Sequence, residues 1–321
     1  MKRSFIASIC LIIASVSSGQ VFNYSKTPVN SGFRMEGYWV WGGSAIKEGR
    51  TYHLFASRWK KTGPFPEGYR QNSEIVRATS NSPFGPFRFE EVVIGERDSS
   101  FWDSNMAHNP TIHKIGDEYV LFYIGSDFTT INPKTKNLLR RVGYASSKSL
   151  SGPWKRCDKP VIEEESNNPA ILQYSGKVRL LYRDNELRMW LAESGSYKGP
   201  FRVINDNVWP SAKLEDFYMY KTKDKFHIIC EDNVGKVSGH ERWGVHLVSD
   251  DGVTGWKKAP QVIVYDHDIT FDNEIVMHLT RRERPQLLIN AGKIEYLYNG
   301  VYDGKESWCQ PVRLDPPVKL N

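Results

Sequence analysis

MAHNPTIHKIGDEYVLFYIGS, residues Met106 to Ser126, reads as a short strand, a turn centred on Gly116 and a second strand. The second strand carries Tyr119 to Ile124, six apolar residues in a row, which suits a strand covered on both faces. Four other stretches repeat this design. Their second strands begin RTYHLFA at Arg50, KVRLLY at Lys177, KFHIIC at Lys225 and KIEYLY at Lys293.

The spacing is stricter than the residue choice. Asn109 lies ten residues before Tyr119, and we call it a pivot. The same interval separates Gly42 from Tyr52, Asn168 from Val178, Asp216 from Phe226 and Arg284 from Ile294. Successive pivots are 67, 59, 48 and 68 residues apart. A second repeat follows the first: ATSNSPFGPF (78–87), ASSKSLSGPW (145–154) and AESGSYKGPF (192–201), with VSDDGVTGW (248–256) as a degenerate fourth. Repeats of several tens of residues built from strands indicate a propeller, with about four strands to a blade. Five units predict an all-β, five-bladed β-propeller. A β-sandwich would require the ten-residue registry to be coincidence.

The expected blades run from about Arg34 to Glu91, Ser99 to Pro160, Val161 to Asn205, Val208 to Pro260, and Gln261 to the end. The last could be closed by a strand from the polar opening segment, Gln20 to Phe33. Residues 60–69, 129–139 and 233–243 read as irregular loops. No helix with a periodic face and no linker is evident, so residues 20–321 form one expected domain.

Residues 1–19 read as a signal peptide: basic Lys2 and Arg3, an apolar run from Ser4 to Val16, and small Ser17, Ser18 and Gly19 before the cut. Cys10 lies inside that run behind a poor lipoprotein motif, so the expected product is secreted or periplasmic rather than lipid-anchored. No other stretch is long and apolar enough for a membrane span. Without Lys2 and Arg3 the net charge falls from +6 to +4. No basic stripe marks a nucleic-acid partner. Cys157, Cys230 and Cys309 have neither disulfide-framework nor zinc spacing and read as buried thiols, although one bridge could form.

In a propeller the innermost strands ring a central channel, so the pivots and the residues before them should meet at one mouth. That set is Trp41, His108, Asn167, Glu215 and Glu283, followed by Gly42, Asn109, Asn168, Asp216 and Arg284. A second set lies six residues before a pivot: Glu36, Asp103 and His278. Carboxylates and a histidine in an aromatic-walled pocket suit glycosidic cleavage, in which one group protonates the leaving oxygen and another activates water. Clustered carboxylates raise one another's pKa and help one stay protonated. Aromatic rings, among them Trp41 and Trp243, can stack on the C–H faces of sugars. The loop HERW (240–243) could reach over the pocket as a sugar clamp.

Structural readings stand beside these. Glu283 and Arg284 could form an internal ion pair, and Asp103 could cap a turn. His108 could be a core histidine or a ligand to a central cation. The chemistry requires no cofactor; a structural divalent cation could occupy the channel.

The plan resembles the glycoside hydrolase clan that includes families 43 and 117. YHLFASRW (52–59), LEDFYMY (214–220) and HLTRRERP (278–285) are most similar to family 117, the anhydro-galactosidases. The likeness covers all five blades in plan but only these short motifs in residues. It implies exo-acting, inverting hydrolysis of an oligosaccharide drawn from a complex polysaccharide. It places His278 where family 117 has its general acid, Asp216 at the Asp of that family's Glu-Asp-Pro motif, and Glu215 where family 43 has its general acid. Family 43 has its base, an Asp, at the first-blade pivot, where this chain has Gly42. Glu36, or Asp103 from the second blade, is then the expected base. Two alternatives remain: a carbohydrate-binding propeller without catalysis, and a phosphorylase that uses Arg281, Arg282 and Arg284 for phosphate.

Overall fold

The computed structural model describes residues 22–320, so the expected signal peptide lies outside the described residues. The chain's regular structure is almost wholly strand. Blade one is β1 (Tyr38–Glu48), β2 (Thr51–Lys60), β3 (Glu74–Ser80) and β4 (Arg88–Ile94), with a single helical turn, α1 (Tyr69–Asn72), between β2 and β3. Blade two is β5 (Met106–Ile115), β6 (Glu118–Ser126), β7 (Arg141–Ser147) and β8 (Lys155–Arg156). Blade three is β9 (Asn167–Tyr174), β10 (Lys177–Arg183), β11 (Met189–Ser194) and β12 (Arg202–Asn205). Blade four is β13 (Leu214–Lys221), β14 (Phe226–Asp232), β15 (Trp243–Ser249) and β16 (Lys257–Tyr265). It extends five residues past its expected end at Pro260. A small hairpin, β17 (Asp268–Thr270) and β18 (Val276–His278), precedes blade five, which is β19 (Arg281–Asn290), β20 (Lys293–Tyr302) and β21 (Ser307–Lys319).

Blade five has only three strands of its own, and the opening segment supplies its outer edge. Tyr24 bridges Leu314, and Phe33 bridges Cys309 with backbone hydrogen bonds in both directions, at 3.0 and 3.1 Å. The two ends of the chain thus meet in one blade, which closes the ring. The first strand of each blade packs against the first strands of both neighbours, β1 to β5 to β9 to β13 to β19 and back to β1. The repeated Gly-Pro segments form the connections from third to fourth strand in blades one to three.

Each blade is covered on both faces, which explains the unbroken apolar runs. Phe55, Leu121 and Ala145 fill the gap between blades one and two. Val120, Phe122 and Leu180 fill the next, and Leu181, Phe217 and Ile228 the third. Ile229, Leu287 and Val301 join blades four and five, and Leu54, Val76 and Tyr298 join five to one. Each buried Leu, Ile, Val or Phe among these contributes roughly 1.5–3 kcal/mol of transfer free energy. The three described cysteines are buried free thiols, Cys157, Cys230 and Cys309, as read from their spacing.

Candidate active site

Every pivot adopts the left-handed backbone conformation: φ is +62° at Gly42, +53° at Asn109, +54° at Asn168, +56° at Asp216 and +55° at Arg284. The strand ladder slips at the same place in each blade, between Trp41 and Ser44, His108 and Thr111, Glu215 and Tyr218, and Glu283 and Gln286, and opposite Asn168 in blade three. These are β-bulges. In an unbroken strand consecutive side chains face opposite ways; a bulge re-aims one of them. His108 with Asn109, Asn167 with Asn168, and Glu215 with Asp216 therefore all line one cleft of about 470 Å³. Gly, Asn and Asp tolerate this conformation; Arg does not adopt it without cost, and tertiary contacts hold it at Arg284.

Arg284 is completely buried and crosses the channel floor. Its Nη2 donates to the carbonyls of Asn109 (3.0 Å) and Pro169 (3.3 Å), on blades two and three. Its backbone N–H donates to Asp216 Oδ2 at 3.2 Å. Burial pulls the guanidinium pKa down to about 10 despite the opposing charge of Asp216. A Cβ on Gly42 would lie 3.1 Å from Arg284 Cγ and 3.2 Å from Asn109 Oδ1. The side-chain space of the first-blade pivot is thus occupied by the pivots of blades five and two.

Three carboxylates face the cleft. Glu215 is ion-paired to Arg183 Nη2 at 2.8 Å, accepts from Asn233 Nδ2, and lies 3.5 Å from Asn168 Nδ2. Asn168 in turn accepts from Asn109 at 2.9 Å. Asp216 is raised to about 6, by burial first and then, against the pull of Arg284, by the charge of Glu215. Glu283 is raised to about 7: burial dominates, Arg281 and Arg242 oppose it, and the charges of Asp216 and Glu215 add to it. Beneath them Glu231 is fully buried, and burial pushes its carboxyl well above the ordinary range. Arg242 Nη1 ties Glu231 to Glu283, at 3.0 and 2.9 Å.

Opposite the carboxylates stands an aromatic wall. Trp41 packs against Phe65 at 5.1 Å between ring centroids, and Trp59 against His108 at 5.5 Å. Tyr69 lies 4.9 Å from the His108 ring. Gly300 lets Trp41 lie flat across β20, since a Cβ there would come within 2.7 Å of the indole. His108 is held neutral: burial and then the charges of Arg284 and Arg140 lower its pKa to about 3, and its Nδ1 pairs with Ser73 Oγ at 2.7 Å.

The structure brings Trp41, His108, Asn109, Asn168, Glu215, Asp216 and Glu283 together at the cleft. Arg284 lies beneath it as a structural element. The set six residues before a pivot is not brought there. Glu36 is exposed in the turn before β1. Asp103 is buried away from the cleft, where it accepts from Tyr123 Oη (2.6 Å) and Arg156 Nη2 (2.5 Å) and pairs with Arg97 Nε (2.8 Å). His278 is exposed on β18 and pairs with Asp268 at 2.7 Å. Trp243 stacks on His240 at 3.8 Å and does not line the cleft; its neighbour Arg242 does. Asp216, Glu231 and Glu283 are the one group among the described residues whose carboxylate oxygens lie close enough to share a cation, and Arg242 bridges Glu231 and Glu283 there.

Sequence reasoning missed Arg183 and Glu231, and a signal for them exists. In every blade the residue before the pivot pairs with one on the second strand: Ser57, Ile124, Arg183, Glu231 and Gly300. The first four lie fifteen residues after their pivots and the fifth sixteen. Extending the ten-residue registry by five would have found them. Arg140, Arg242 and the aromatics Phe65 and Tyr69 come from loops or their edges, where no registry applies.

Asp103→Asn should lower stability by about 2 kcal/mol, because hydrogen bonds to two buried guanidiniums lose their charge, and should leave turnover intact. Urea denaturation beside an activity assay checks this; a loss of turnover in a folded variant would return Asp103 to the site.

The buried histidines set the acid limit of the fold. His108 and His246 are lowered to about 3, and His113 and His227 to about 4, all chiefly by burial. As pH falls through about 6.5 the unfolded chain protonates these groups first, so stability is lost. Glu283, Asp216 and Glu231 act oppositely: the folded chain takes their protons first, so stability is gained as pH falls from about 7 to 4. The opposing effects should hold Tm nearly level from pH 7 to about 5, with a steep fall below about 4.5. A Tm that drops steadily from pH 7 would mean that the carboxylates are not raised.

No protein-family model matches the chain, and no curated protein matches its sequence. Solved structures do match. A family 117 glycoside hydrolase produced by the marine bacterium Zobellia galactanivorans superposes with a TM-score of 0.66 at 17% identity, over 92% of this chain and 90% of that one. The catalytic domain of a family 62 α-L-arabinofuranosidase from Coprinopsis cinerea gives 0.64 at 10% identity, over 92% and 98%. A thermostable family 43 glycoside hydrolase gives 0.63 at 12%, over 90% and 92%. At these identities the likeness establishes the fold. The chain is a five-bladed propeller built on the plan of these hydrolases, as its resemblance implied.

Proposed function

We propose that this protein is a glycoside hydrolase that acts outside the cytoplasm on oligosaccharides from a complex polysaccharide. The single observation that carries the reading is a pair of carboxyl groups of opposite character in one cleft. Glu283 is held near pH 7 by burial and by its acidic neighbours, so it can carry a proton to the leaving oxygen. Glu215, ion-paired to Arg183 and steadied by Asn168 and Asn233, is the carboxylate that activates water. The negative charge of Asp216 helps Glu283 keep its proton. Phe65 and Tyr69, partly exposed in the cleft lining, offer apolar faces to a sugar ring, backed by the buried Trp41 and Trp59.

Exo-action and inversion rest on the resemblance to families 43 and 117, and secretion on residues 1–19. Export of a reporter fused to those residues, and loss of it when Ile6 to Ile13 are made polar, checks the latter. Among the described residues no helix is long and apolar enough to cross a membrane.

Gly42 favours a second reading, a sugar-binding propeller without catalysis, because the first-blade pivot has neither a carboxylate nor space for one. Product release by the purified chain on a panel of plant and algal oligosaccharides decides between them. The anomer first released, followed by NMR, tests inversion. Binding without release from any substrate would sink the hydrolase.

A further inference from the structure

Resting on that reading, one property of the cleft is unexplained by cleavage of a neutral sugar. Five arginines line it, Arg70, Arg140, Arg183, Arg242 and Arg281, against three carboxyl groups. Five guanidiniums against three carboxyl groups leave the lining with excess positive charge. Three of the arginines are committed. Arg140 pairs with Glu165, Arg183 with Glu215, and Arg242 with Glu231 and Glu283.

Among the described residues Arg70 has no carboxylate partner, and Arg281 has only a long ion pair to Glu283. Arg70 is exposed on α1, and its guanidinium contacts only the adjacent Tyr69 ring and hydroxyl. Arg281 opens β19, about a third exposed, with its nearest carboxylate oxygen at 3.8 Å, beyond hydrogen-bond reach. Its guanidinium lies 5.7 Å from the Phe65 ring. The two therefore stand beside the same aromatic segment, Phe65 to Tyr69, on which a sugar would rest. A neutral sugar there would strip water from two guanidiniums without supplying a charge to replace it. A carboxylate or sulfate group matches the guanidinium fork in shape and charge.

We propose that the cleft takes an anionic saccharide, a sugar bearing a carboxylate or a sulfate ester, with Arg281 and Arg70 as its anion contacts. The same excess charge gives the mouth an attractive field for such a ligand, which ionic strength screens.

The test uses the intact chain and single sugars, which it cannot cleave further. Calorimetric titrations would compare uronic acids, sulfated monosaccharides, their neutral parents and inorganic phosphate. The expected result is at least one anionic sugar binding about tenfold tighter than its neutral parent. Arg281→Gln should remove that advantage, Arg70→Gln should reduce it, and added salt should weaken it. The uronate and sulfate arms identify which anion is read. Neutral parents binding as tightly as their anionic forms, or an advantage indifferent to both arginine variants, would overturn this inference and leave the hydrolase standing. Phosphate that binds as tightly and accelerates glycosyl release would overturn it in favour of a phosphate co-substrate. Binding of no sugar at all would overturn both.

Discussion

Replacing Arg284 by methionine should cost the fold about 3–5 kcal/mol, the usual penalty for removing one partner of a buried ionic pair. The methionine preserves much of the volume, so the loss isolates the charge and its hydrogen bonds. The carbonyls of Asn109 and Pro169 would lose their donor, and the buried Asp216 carboxylate would lose its countercharge and keep only the bond from the backbone N–H of residue 284. The two carbonyls belong to different blades, so the guanidinium joins blade five to blades two and three across the centre of the ring. Arg284→Lys should recover part of the loss, because an ammonium restores the charge but cannot reach both carbonyls in the plane of a fork. Urea denaturation of the three proteins measures this. A loss below about 1 kcal/mol in Arg284→Met would mean that the channel floor does not depend on the guanidinium.

Glu283→Gln and Glu215→Gln should each reduce turnover by about 10²–10⁴-fold, but in distinguishable ways. As the proposed acid Glu283 would act when protonated, and its pKa is raised to about 7. Activity of the unaltered chain should therefore be present below pH 7 and fall as pH rises through it. Glu283→Gln should abolish that basic limb. It should also be largely rescued by nitrophenyl glycosides, whose leaving group departs without protonation. Glu215→Gln should not be rescued, since water activation is needed for either substrate. The kcat/KM profiles of the three proteins on both substrates separate the roles. A basic limb that persists in Glu283→Gln would remove Glu283 as the acid. His278→Ala, which alters an exposed residue outside the cleft, should leave kcat within about twofold; a large loss would restore the role implied by the family 117 resemblance.

The readings that held share a physical basis. A ten-residue interval within a hairpin is fixed by the ladder of backbone hydrogen bonds, so equal intervals in sequence become equivalent places in space. That is why the pivots converge and why Glu215, Asp216, His108, Asn109 and Asn168 meet at one cleft. The interval of six before a pivot reaches out of the strand into a connection, where no ladder carries the registry. Glu36 consequently ends in solvent, Asp103 between two arginines, and His278 on a hairpin of its own.

The chain by itself determined the number of blades and the place of the pivots, because both follow from local strand periodicity repeated five times. Only the tertiary structure decided which charged groups are neighbours. The raised pKa of Glu283, the pairing of Glu215 with Arg183 and the contacts of Arg284 across the ring depend on burial and on distances between segments 32 to 175 residues apart in the chain. No local pattern encodes those distances; the closure of the ring creates them.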